Sequence, residues 1–141
     1  MGKRLPLEAA RAAVDAALDR AAADGLRVGV ALVDARGADI LVVRADGAPW
    51  FSPGVARAKA RTSTDLRGPS EAMAGLRETY PDLFTLVDDQ VPYRLTTLPG
   101  GLPLKREGEL VGAIGVSGAS AEQDVRCAEA ARAAFEAYCA G

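Results

Sequence analysis

"GELVGAIGVSGASAEQD", residues 108–124, is the stretch on which the fold turns. Glycines at 112, 115 and 118 lead into small polar residues and then the acids Glu122 and Asp124. A dinucleotide fingerprint needs G-x-G-x-x-G between a strand and a helix of a βαβ unit. Here the spacing is G-x-x-G-x-x-G, and the first two glycines fall inside an apolar run. A P-loop needs Gly-Lys-Ser/Thr, which is absent. What does fit is a buried strand turning into a helix. Ser120 and Gln123 match the S-x-x-Q capping box, and Glu122 complements the helix dipole in the first turn. Gly112 and Gly115 then lie on opposite faces of the strand, where a missing side chain admits a close neighbour. After Gly118, the amides of residues 119–122 form a helix N-terminus able to face a ligand anion.

Working outward, "LPLKRE" (102–107) and "ELVGAIGVSG" (109–118) predict a hairpin around Glu107-Gly108, and residues 121–139 the last helix. That helix should bury Val125, Ala128, Ala131, Phe135 and Tyr138. At the other end, apolar residues at helical spacing predict a helix over 7–24, stopped by Gly25. "RVGVALVD" (27–34) and "ADILVVRAD" (38–46) read as a second hairpin. Alternation puts Ile40, Val42, Arg44 and Asp46 on one face, and Leu41, Val43 and Ala45 on the other. Ser52-Pro53 reads as an N-cap and first residue of a helix over 53–66, with a short helix over 70–79. Residues 80–93 show no clean period and are expected to be mostly loop, and "YRLTTL" (93–98) a fifth strand. Two hairpins without βαβ alternation predict an antiparallel sheet with helices packed against it, a single α+β domain over residues 1–141.

Composition narrows the chemistry. A net charge of −2 leaves no electrostatic footprint for nucleic acid or an anionic membrane, so neither is expected as a partner. No apolar run reaches spanning length and no secretory signal is visible, so a cytoplasmic location is expected. There is no histidine, which removes Ser-His-Asp triads, Cys-His pairs and histidine-based metal sites. Cys127 and Cys139 alone cannot build a four-ligand zinc site, and no metal is expected.

The remaining candidates are therefore unusual ones. Lys59 aligns with Val55, Thr62 and Leu66 on a semi-apolar helix face. A buried lysine there is either a snorkelling side chain or a base or amine nucleophile. Arg44 ends a strand and is suited to clamping a carboxylate at a pocket rim, or to an exposed pair with Asp46. Thr62, Tyr93, Arg94, Ser117, Gly118, Glu122 and Asp124 could complete a pocket near the strand-to-helix junction. Proton transfer, if any, falls to Lys59, Tyr93, Asp46 or Glu122. Trp50 and Phe51 either wall a hydrophobic ligand or pack between subunits.

"LPLEAARAAVDAALDRAAADGLRVGVALVDARGADILVVRADGAP" (5–49), "ARAKART" (56–62) and "LPGGLPLKREGELVGAIGVSGASAEQD" (98–124) together resemble the GlcG/HbpS-like family. The resemblance covers nearly the whole chain in matching order. It implies a profilin-like antiparallel five-stranded sheet flanked by helices, and assembly as a homo-oligomer. Some members of that family bind haem through a histidine ligand, which this chain lacks. By resemblance haem is still a candidate cofactor, held by a thiolate or tyrosinate from Cys127, Cys139, Tyr80, Tyr93 or Tyr138. Otherwise no cofactor is expected. Arg44 and Asp46 match the family's R-x-D-G-A stretch, whereas residues 77–98 follow its pattern least and are suited to specifying a different ligand. The leading expectation is a small-molecule-binding protein with its pocket between the Lys59 helix, the Arg44/Asp46 strand end and the start of the last helix. The alternatives are a metal-independent lyase or isomerase acting on a small carboxylated or carbonyl metabolite, and a haem-binding protein with a non-histidine ligand.

Overall fold

The computed structural model describes residues 4–141. The elements run α1 (Leu7–Ala23), β1 (Gly29–Asp34), β2 (Asp39–Arg44), α2 (Ser52–Leu66), α3 (Ala72–Thr79), α4 (Pro81–Gln90), β3 (Gly101–Arg106), β4 (Glu109–Ser117) and α5 (Ala121–Ala140). The strands form one sheet in the order β2-β1-β4-β3, and every neighbouring pair is antiparallel. The α+β class follows from this arrangement.

One face of the sheet is covered by α1 and α5. Val30, Leu32, Leu104, Ile114 and Val116 project into it and meet alanines of α1 with Ala128, Ala131 and Phe135 of α5. The other face carries α2 and is built from small residues: Ala31, Val33 and Ala113 on the strands, Ala56 and Ala60 on the helix. Glycine sets how close α2 sits. A Cβ on Gly115 would overlap the Ala56 carbonyl, one on Gly101 would overlap the Lys59 carbonyl, and one on Gly29 would come within 2.7 Å of Pro53. These three glycines, on the adjacent strands β1, β4 and β3, let the helix backbone rest directly on the sheet. Gly112 serves the opposite face, where Leu5 approaches.

The capping box at the start of α5 forms as its residues predict, with Ser120 and Gln123 satisfying one another's backbone amides. Three expectations are corrected. The sheet has four strands among the described residues, not five, because residues 93–98 run as irregular chain. Their backbone groups go to side chains instead of a ladder: the Leu95 amide donates to Asp88, the Thr96 amide to Thr62, and the Leu98 carbonyl accepts from Ser70. Residues 81–90 are helix rather than loop. No residue of α4 is fully buried, so the core imposed no clear apolar period on it. At α2 the helix already includes Ser52, whose hydroxyl donates to the Pro49 carbonyl instead of capping.

Two local readings also shift. A bulge between Leu32 and Val33 breaks the alternation of β2, so Ile40 packs with Leu41 and Val43 against the α1/α5 cluster. Tyr138 is 41% exposed and lies outside the core.

Candidate functional site

Seating α2 directly on the glycines brings Lys59 to the end of β4. Its Nζ donates to the Val116 carbonyl at 2.8 Å and to Asp124 Oδ2 at 2.9 Å. Asp124 Oδ1 in turn accepts the Ala119 amide at 3.0 Å. Both residues are 3% exposed. Burying two charges is costly, and the arrangement holds because each also bonds a backbone group. Lys59 therefore neither snorkels to solvent nor stands free as an amine.

Above this pair lies a cavity of about 250 Å³. Phe51 just before α2, Val55 on it, and Leu98 and Pro99 of the incoming chain make its apolar walls. Lys59, Asp124 and Ser117 supply its polar residues, with the small side chains of Ala119 and Ala121 beside them. Val55 and Lys59 share the wall because they are one helical turn apart. A more open hollow of about 380 Å³ adjoins it through Pro99 and Ala121, lined by Glu122, Val125, Arg126 and Glu129.

Of the residues singled out from the sequence, Lys59, Ser117 and Asp124 come together in this cavity, and Glu122 lines the adjoining hollow. The others do not join them. Arg44 pairs with Gly29, which pairs on its other side with Ser117, so Arg44 stands two strands away, roughly 10 Å. Ser52 and Pro53 sit over the intervening glycine. Arg44 and Asp46 are exposed and line no part of the cavity. Thr62 is structural, donating to the Ala58 carbonyl and accepting the Thr96 amide. Tyr93 donates to Asp65 at 2.6 Å, and the Arg61 guanidinium lies 5.1 Å from its ring centre. Burial, reinforced by Asp65, pushes its phenol up to about 12, which makes it a poor base near neutrality. Arg94 is exposed.

The α5 N-terminus is less open to an anion than the bare sequence suggests. Asp124 takes the Ala119 amide and Gln123 the Ser120 amide. Gly118 is a turn residue with φ of 128°, and a side chain there would press on the Arg27 carbonyl at 2.9 Å. Leu98, Pro99 and Val55 were not singled out as site residues from the sequence. Their signal was present in the "LPGG" segment and in the i, i+4 spacing of Val55 and Lys59.

Among the described residues, no three His, Cys, Asp or Glu gather where a metal ion could be held. Cys127 is buried in the α1/α5 core, where desolvation, followed by Asp124, pushes its thiol up. Among the described residues, no helix is long and apolar enough to cross a membrane.

Comparison with known proteins gives a consistent picture. Residues 5–133 match the family model described as haem degrading protein HbpS-like. The chain is 32% identical to the corrinoid adenosyltransferase PduO of Salmonella typhimurium over 120 residues, 85% of this chain and 35% of that protein. It thus spans about a third of that relative's length. Among solved structures, a double mutant of Streptomyces reticuli HbpS superimposes with a TM-score of 0.84 at 35% identity, covering 94% of this chain and 88% of that one. A PduOC:heme complex superimposes with a TM-score of 0.83 at 28% identity, covering 94% and 95%.

Proposed function

Since the chain belongs to the HbpS-like family, we propose that it is a small-molecule-binding protein whose ligand occupies the cavity above Lys59 and Asp124. The observation that carries this reading is a buried ion pair under apolar walls, with a buried serine beside it. Ligand sites are typically apolar concavities with a few placed polar groups. A homologue bound to heme supports a ligand-binding role in the family.

The side chains here do not fit haem as that ligand. Neither the cavity nor the adjoining hollow is lined by histidine, cysteine or tyrosine. Cys127 is a buried thiol in the core, and Tyr93 is bound to Asp65 as a phenol. Metal-independent proton transfer is the second reading, favoured by two ionisable groups, Lys59 and Asp124, against the cavity. Assembly with further copies of the chain fits the exposed Trp50, Phe51 and Leu98, which lie at or next to the cavity walls.

The test is a thermal-shift screen of small metabolites against the wild type and Val55→Trp, which fills the cavity from a partly exposed position. Stabilisation seen in the wild type and lost in the variant supports the site. Equal stabilisation in both places the ligand elsewhere.

A further inference from the structure

The polar residues of the cavity have bonding capacity left over. A lysine ammonium has three N–H donors. Lys59 commits two of them, to the Val116 carbonyl and to Asp124. Ser117 closes β4 at 5% exposure, lines the cavity, and its hydroxyl bonds no protein group among the described residues. Each of the two thus has a donor left that a ligand oxygen can satisfy, and the Ser117 and Asp124 oxygens keep lone pairs that can also accept.

Charge then decides which oxygen. Lys59 and Asp124 cancel one another inside the protein. A ligand carboxylate would place a second anion against one buried cation, in surroundings where an uncompensated charge is costly. The acids Glu122 and Glu129 of the adjoining hollow add to that repulsion, and Arg126 offsets only one of them. A carbonyl oxygen accepts the same hydrogen bonds and brings no charge. Phe51, Val55, Leu98 and Pro99 leave an apolar space for the rest of the molecule. The volume of about 250 Å³ lies below the roughly 300–1,000 Å³ of sites for drug-sized ligands.

Resting on the reading of this cavity as the ligand site, we infer that it takes a small neutral carbonyl compound with a short apolar body. The carbonyl oxygen accepts from Ser117 Oγ and from the remaining N–H of Lys59. No covalent bond forms, and Lys59 stays paired with Asp124.

A matched pair of probes tests this on the full chain: acetophenone, neutral, and benzoate, anionic and of nearly the same size. Binding is followed by calorimetry and by amide chemical shifts in wild type, Ser117→Ala and Val55→Trp. The expected result is saturable binding of acetophenone at least about tenfold tighter than benzoate. Ser117→Ala should weaken it several-fold with an unchanged spectrum of the free protein, and Val55→Trp should abolish it. Benzoate binding as tightly or tighter, yet lost in Val55→Trp, overturns the neutral-carbonyl inference and leaves the cavity as the site. Acetophenone binding indifferent to Val55→Trp overturns both. Absence of saturable acetophenone binding overturns the inference alone, because the metabolite screen tests the cavity independently.

Discussion

Lys59 on α2 and Asp124 on α5 lie 65 positions apart in sequence and meet as a buried ion pair of 2.9 Å. The pair ties the helix on one face of the sheet to the first turn of a helix on the other, across the end of β4. It also forms the floor of the cavity walled by Phe51, Val55, Leu98 and Pro99.

Removing one partner strands the other. Lys59→Met should destabilise the protein by about 3–5 kcal/mol by leaving Asp124 buried and uncompensated. Lys59→Met with Asp124→Asn should recover much of that loss, since the asparagine oxygen can still accept the Ala119 amide. Urea unfolding of the two singles and the double closes the cycle. Additive losses would show that the charges do not depend on one another.

Close seating of α2 depends on Gly115. Gly115→Ala drives a methyl into the Ala56 carbonyl and the Ala60 amide, and the helix must lift from the sheet. The expected cost is about 1–3 kcal/mol or more, seen as a lower urea midpoint. Gly54→Ala is the contrast, because nothing lies within 4 Å of its added methyl and it sits inside α2. That change should raise stability by about 0.5–1 kcal/mol.

High pH should weaken the fold through Tyr93. Its phenol is raised from 10.0 to about 12 in the folded protein. Between these values the unfolded chain loses the proton first, so stability present below pH 10 falls as pH rises toward 12. In Tyr93→Phe the drop in urea midpoint over that window should be smaller. An identical pH profile in the variant would remove Tyr93 as the cause.

Haemin titration tests the donor set. We expect no saturable Soret change that depends on Cys127, because its thiol is buried in the core and held protonated by desolvation. A Soret band present in the wild type and lost in Cys127→Ala would overturn that expectation.

What was readable from sequence had a local physical cause. The Ser120–Gln123 box, the hairpin turns and the apolar run of β4 each depend on residues a few positions apart. α4 was not readable: its apolar residues Leu83 and Leu86 remain exposed, so no buried face marked it as helix. Residues 93–98 look like a strand by composition, yet Thr62, Ser70 and Asp88 take their backbone groups one by one. Such long-range side-chain bonds leave no period in the sequence. The Arg44 expectation failed for a related reason. Arg44 does reach the right end of the sheet, but the strand order inserts Gly29 between it and Ser117.

Sequence by itself determined the α+β class, the two hairpins, the capped last helix and the absence of any histidine, because these rest on composition and short-range pattern. It also marked Lys59 as a cation on an apolar helix face. Only tertiary structure decided what that lysine does. Its partner lies on another helix, and the contact exists because Gly29, Gly101 and Gly115 align under α2 and let its backbone down onto the sheet. In "GELVGAIGVSGASAEQD" the glycine that seats the helix and the aspartate that receives its lysine stand nine residues apart, and folding joins them through a third element.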